Sequence, residues 1–254
     1  MDKDQSFPFP FRIARENTPI VAQAIFALLD KQSLLKCRSV SKTWKCYVDS
    51  RTNLWKEIPV HKIHRAARCG RTDICQLIVK HAQNKNPKSA NGETSLHYAA
   101  ENGNRVTFQL IMESAVDKNP ATLSGWTPLH IAAQKGNFDI CQFILDHVEN
   151  KNPANEIKET PLHSAAMGGH FDICKMILSR IEEKNPFSHT WTALHHAAQG
   201  GYFDICNLII QNVEDKNPAN AEGTTPLHIA AEEGHSKICQ LIISSMWVHS
   251  SYHQ

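Results

Sequence analysis

The sequence is poor in several features that commonly announce a function. No apolar stretch approaches the roughly 20 residues that span a bilayer, and Met1-Asp2-Lys3-Asp4 offers neither the basic nor the apolar run of an export signal. A cytoplasmic or nuclear protein without a membrane partner is expected. Charge of one sign is also lacking, since 27 basic residues face 25 acidic ones for a formal +2, so bulk electrostatics give no reason to expect nucleic acid. Despite 8 cysteines and 15 histidines there is no Cys-x-x-Cys pair to complete a zinc-finger pattern with them, so no zinc or other metal site is expected. Neither a glycine-rich phosphate loop nor a unique nucleophile beside a positioned base is present. The chain is expected to be non-catalytic and to need no cofactor.

What the chain does have is repetition. Its 41% hydrophobic residues suffice for a substantial core, and they recur at a fixed period. Lys-Asn-Pro begins at Lys85, Lys118, Lys151, Lys184 and Lys216, and a Leu-His pair places His97, His130, His163, His195 and His228 at spacings of 33, 33, 32 and 33. The surrounding text is nearly constant, as in Thr127-Pro128-Leu129-His130 and Thr160-Pro161-Leu162-His163, each followed by x-Ala-Ala-x-x-Gly. Thr before Pro suits a helix N-cap followed by the first helical position, where a missing N–H costs nothing. Gly103, Gly136, Gly169, Gly201 and Gly234 end this short helix, and an apolar run such as Asp139 to Leu145 forms a second one. A sixth, atypical unit lies upstream at Ile63 to Ile78, with His64 again 33 residues before His97. Two helices and a turn cannot bury their apolar face alone, so the units must stack.

These motifs resemble the ankyrin repeat. The resemblance implies an all-α-dominated solenoid with β-hairpin loops, about six repeats over residues 60–245, and a short tail at 246–254. It also implies that each repeat histidine hydrogen-bonds the hairpin backbone and the adjacent threonine, and that hairpin tips and first helices line a concave surface holding a target protein. Cys75, Cys141, Cys174, Cys206 and Cys239 each lie eleven residues after a repeat histidine, forming a ladder on the inward side of the second helices. Packed helices stand about 8 to 10 Å apart, too far for disulfides between rungs, so the thiols are expected to be reduced.

Partner choice is expected where repeats differ on that surface. The candidate target-binding residues are Leu123, Trp126, Lys135, Ile157, Met167, His189 and Trp191, with Glu159 among the other variable positions. Trp126 and Trp191 occupy the same place two repeats apart, and two readings are open: each ring anchors a partner, or each lies flat on its own hairpin. The hairpin glycine of Gly92, Gly125 and Gly223 is replaced by Lys158 and by Thr190, the latter in the repeat that is one residue short.

Residues 1–58 do not share the repeat and carry 10 basic against 6 acidic residues, whereas residues 61–254 carry 17 against 19. A separate domain is implied, with a disordered segment at 1–16 and three short helices over 17–58. The string Ile25-Phe26-x-x-Leu29-Asp30-x-x-Ser33-Leu34-Leu35, continuing to Val40-Ser41-Lys42-x-Trp44 and Leu54-Trp55, resembles an F-box. That resemblance implies that Ile25, Phe26, Leu29, Leu34, Leu35, Val40 and Trp44 engage a Skp-type adaptor of a cullin–RING ubiquitin ligase, making the chain its substrate-recognition subunit. A helical cap that only shields the first repeat of a stand-alone scaffold is the other reading. Only Glu57-Ile58-Pro59 separates Trp55 from the array, too short for a flexible tether, so a rigid connection is expected.

Overall fold

Three local devices repeat along the chain and generate its helix pairs. The computed structural model describes residues 60–82, 84–182 and 191–250, which contain twelve α-helices. The helices expected over 17–58, the segment 1–16, the connection at 57–59 and all seven adaptor-binding candidates lie outside the described residues, as do His189 and Thr190. Successive repeats are α1 (Val60–Arg68) with α2 (Thr72–His81), α3 (Ser95–Asn102) with α4 (Arg105–Ser114), and α5 (Pro128–Lys135) with α6 (Phe138–His147). They continue with α7 (Pro161–Gly168) and α8 (Phe171–Leu178), α9 (Ala193–Gln199) and α10 (Phe203–Asn212), then α11 (Pro226–Glu232) and α12 (Ser236–Ser250).

The first device is the start of each first helix. Thr94, Thr127, Thr160, Thr192 and Thr225 hold extended backbone at the N-cap, and the repeat histidine sits at the third helical position. Each threonine N–H donates to the histidine Nδ1 over 3.0 to 3.2 Å, so histidine fills the place usually taken by Glu or Gln in a capping box. The second device is the left-handed glycine that closes the helix. At Gly136 φ is 77°, and an added Cβ would come within 2.5 Å of the His170 ring in the next repeat. The third is the alanine pair: Ala132, Ala133, Ala165, Ala166, Ala197 and Ala198 are all fully buried between neighbouring first helices.

The second helices supply the larger side chains. Phe108, Ile144, Ile177 and Ile209 are fully buried, each contributing about 1.5 to 3 kcal/mol. Cys75, Cys141, Cys174 and Cys206 form the buried ladder and are free thiols, with Phe108 on the rung that lacks a cysteine and Cys239 partly exposed. Burial pushes the four buried thiols up to about 12, leaving them protonated and poorly nucleophilic.

The loops between repeats are hairpins, as expected: a backbone bond closes four of them, from Ser89 N–H to Glu93 O (2.7 Å), Thr122 to Trp126 (2.8 Å), Asn155 to Glu159 (2.9 Å) and Asn220 to Thr224 (2.9 Å). Five-residue fingers are too short to build a ladder, and no strand forms among the described residues. The last helix, α12, runs through residues 246–250. Ser244-Ser245-Met246-Trp247-Val248 contains neither Gly nor Pro to stop it, and Trp247 is 70% exposed.

Candidate protein-binding face

Each first helix presents two polar anchors that reach a neighbouring repeat. Because the histidine Nδ1 accepts the threonine N–H, the proton resides on Nε2, which points to the next finger. His64 Nε2 donates to Pro87 O (2.9 Å), and His97 to Trp126 O, His130 to Glu159 O and His195 to Thr224 O (3.1 Å each). Desolvation by burial lowers the affinity of these rings for a second proton, with His130 brought down to about 4. They are neutral struts that set where each finger sits.

A second set of bonds, not foreseen from the sequence, runs the other way. The residue after the capping glycine reaches back to a carbonyl at the end of the preceding first helix: Asn104 to Gly70 O (3.4 Å), Asn137 to Ala100 O (2.6 Å), His170 to Gln134 O (3.0 Å) and His235 to Gln199 O (3.2 Å). These side chains satisfy carbonyls that a helix end leaves without partners. The signal was present as a recurring polar residue after glycine, but its identity changes between repeats.

The fingers and first helices so held carry the candidate residues. Neighbouring tips are joined by Leu123 N–H to Asn91 O (3.0 Å) and Glu156 N–H to Ser124 O (3.1 Å), bringing the side chains of Leu123 (72% exposed) and Ile157 (46%) onto adjacent fingers. Lys158 holds φ at 66°, the one positive φ outside glycine among the described residues, at the turn where other fingers have glycine. Met167 is exposed near the end of α7, and Gln134 Nε2 approaches its sulfur at 3.5 Å from the preceding repeat. Lys135 lies 4.0 Å from Glu101, which also meets Arg68 at 3.5 Å, giving an alternating charge row along three first helices. These exposed pairs contribute little stability and leave charge available to a partner.

Trp126 and Trp191 are both half-buried. The Trp126 ring meets His130 edge-on at 5.5 Å, and Trp191 lies 6.0 Å from His195 and 5.2 Å from His196. Each ring therefore rests on its own repeat while keeping one part accessible. Glu159, at the same finger position, is instead buried at 6% exposure. Its carboxylate lies 3.5 Å from His196 Nε2 and accepts from Asn155 Nδ2 (3.3 Å), and the His196 interaction first of all holds it below the usual carboxylate range. Among the described residues, no group of three or more His, Cys, Asp or Glu side chains is placed to hold a metal ion, and no helix is long and apolar enough to cross a membrane.

Stacked helix pairs with Thr-capped, histidine-braced fingers agree with the match to a family model described as ankyrin repeats (3 copies), at residues 61–122, 106–188 and 181–250. The chain belongs to the ankyrin-repeat family. A second model, F-box-like, matches residues 21–59, so an F-box-like domain precedes the ankyrin array. No curated protein matches the chain. Ankyrin repeats and F-box domains are interaction modules, and their combination makes the protein an interaction adaptor.

Proposed function

We propose that this ankyrin protein is the substrate-recognition subunit of a cullin–RING ubiquitin ligase. The observation that carries the reading is the order of the two matches: an F-box-like segment ends at residue 59 and ankyrin repeats begin at residue 61. Ile25, Phe26, Leu29, Leu34, Leu35, Val40 and Trp44 contact a Skp-type adaptor through an apolar surface. The array presents Leu123, Trp126, Lys135, Ile157, Met167, His189 and Trp191 to a target protein. Exposed apolar tips flanked by the Arg68–Glu101–Lys135 row support this division of labour, since interface energy concentrates in apolar and aromatic anchors set within a polar rim. Catalysis belongs to the partners, and the protein acts in the cytoplasm or nucleus where they reside.

The test is a pulldown with purified Skp-type adaptor, comparing the full chain with a Leu34→Ala/Leu35→Ala variant shown to be folded by circular dichroism. Adaptor binding by the parent chain and its loss in the variant are expected. If the parent chain does not bind, the N-terminal segment is a cap on a stand-alone scaffold. Target capture is tested separately with Trp126→Ala/Trp191→Ala, which is expected to weaken it while leaving adaptor binding intact.

A further inference from the structure

The second helices carry a feature that the proposed function does not use. In the third, fourth and fifth repeats each opens with Phe-Asp-Ile-Cys, so Phe138, Phe171 and Phe203 hold the first position of three neighbouring helices, α6, α8 and α10. The isoleucine and cysteine of each motif are buried, whereas the phenylalanines are 39%, 38% and 41% exposed. One exposed phenylalanine needs no explanation, but three at the same register make a row. The row is bounded on both sides. The same position is Arg105 in the second repeat and Ser236 in the sixth, and the Arg105 guanidinium lies over the Phe143 ring, 5.0 Å from its centroid.

Between α6 and α8 the row opens into a groove of about 400 Å³ lined by Phe138, Asp172, Lys175, Met176 and Ser179. The four α8 residues recur at i, i+3, i+4 and i+7, so they form one stripe of that helix. An ion pair between Arg180 and Asp146 joins the two repeats at the far ends of the helices. Met176 is partly buried against the core, as are Leu208 and Leu241 at the corresponding places of α10 and α12.

Charge indicates what fits this face. Each phenylalanine is followed by an exposed aspartate, and among the described residues Asp139, Asp172 and Asp204 enter no ion pair. A carboxylate in the first turn favours a helix through its dipole, which accounts for each aspartate but not for the bare ring beside it. Two copies meeting through this face would set three aspartates against three, so like charge disfavours self-association. Packed helices stand about 8 to 10 Å apart, close to the ~10.5 Å that seven residues of an α-helix rise.

We propose that the outer face of the third to fifth repeats docks a basic amphipathic helix of a partner protein. Its apolar residues at i, i+7 and i+14 meet Phe138, Phe171 and Phe203, and a Lys or Arg beside each pairs with Asp139, Asp172 and Asp204. The site uses second helices only, so it stands independently of the reading of the fingers.

Fluorescence anisotropy with the full chain and two synthetic helical peptides of about 18 residues tests this. Both peptides carry leucine at i, i+7 and i+14; one has lysine beside each leucine and the other glutamate. The lysine peptide is expected to bind at least tenfold tighter than the glutamate peptide. Phe138→Ala/Phe171→Ala/Phe203→Ala is expected to weaken its binding at least tenfold. Because removing three rings can also unsettle the helices, Asp139→Asn/Asp172→Asn/Asp204→Asn, shown to be folded by circular dichroism, supplies a second test. It is expected to bind the two peptides within twofold of each other. Leu123→Ala/Ile157→Ala on the fingers is expected to change binding less than twofold. Failure of the lysine peptide to bind the parent chain, unchanged binding by a folded phenylalanine variant, a charge preference that survives in the asparagine variant, or loss of binding in the finger variant would overturn the proposal.

Discussion

The third and fourth repeats meet across an interface that differs instructively from the one between the fourth and fifth. Both use the same apolar material: Leu129, Leu162 and Leu194 with their alanine pairs are almost wholly buried. At the first interface His130 and His170 each complete a bond to the neighbouring repeat; at the second, among the described residues, neither His163 Nε2 nor the Tyr202 side chain makes the equivalent bond. Stacking therefore supplies adhesion at both, and at the first these two polar bonds add register. A solenoid can lose a finger residue without losing its core, since Leu194, Ala197 and Ala198 stay buried in the short repeat.

Acid should have the largest effect, and it acts on both interfaces together. Burial lowers His130 and His163 from 6.5 to about 4, so between those values the unfolded chain binds protons that the folded chain refuses. Their contribution is fully present above pH 6.5 and is lost as pH falls toward 4, on the order of 3 kcal/mol for each ring. His64, His97 and His195 are shifted in the same direction and add to the loss. Urea unfolding at pH values from 7 down to about 4.5 should show a continuous decline in midpoint; a flat profile would refute the assignment of neutral buried rings.

Alanine substitution then separates the two interfaces. His130→Ala removes a cap on Thr127 and the bond to Glu159 O, leaving buried groups unpaired, and should cost about 3 kcal/mol. His163→Ala removes only the cap on Thr160 and should cost about 1 kcal/mol less. Equal losses in chemical denaturation would mean that the bond to the next finger adds nothing.

The regular parts of this architecture were legible in the sequence because four of the five spacings between the repeat histidines are 33 residues and the fifth is 32. The Thr caps, the glycine stops, the buried cysteine ladder and the histidine bonds all follow from repeated residue types. The short spacing of 32 was also visible, but the state of His163 Nε2, buried without a hydrogen bond of good geometry, shows only in the packing. Glu159 read as a variable finger position, since Trp126, Trp191 and Thr224 share that place, and only the packing of His196 against it reveals its burial. The second set of bonds was hidden because Asn and His perform the same task at one position. The end of α12 could have been read from the absence of a breaker. The candidate target residues were identified from variability alone, and the structure adds that Leu123, Ile157 and Met167 are exposed and Trp126 and Trp191 half-buried.

The smallest expected effect concerns the fingers themselves. Lys158 adopts φ of 66° at a turn where Gly92, Gly125 and Gly223 adopt 80°, 83° and 79°. Lys158→Gly should relieve left-handed strain at the expense of greater unfolded-chain freedom, for a net gain of about 0.5 kcal/mol. The reverse changes should not be equivalent to one another. A Cβ on Gly125 would come within 2.7 Å of the Asn155 backbone and one on Gly92 within 2.9 Å of Leu123 N, whereas one on Gly223 would meet nothing within 4 Å. Gly223→Ala should therefore cost only the conformational strain, about 1 kcal/mol, and Gly125→Ala should cost more because the neighbouring finger must shift. Equal costs, measured by thermal and urea unfolding, would mean that adjacent fingers yield freely. A larger cost at Gly125 would show that close finger packing, in addition to helix stacking, holds the third and fourth repeats in register.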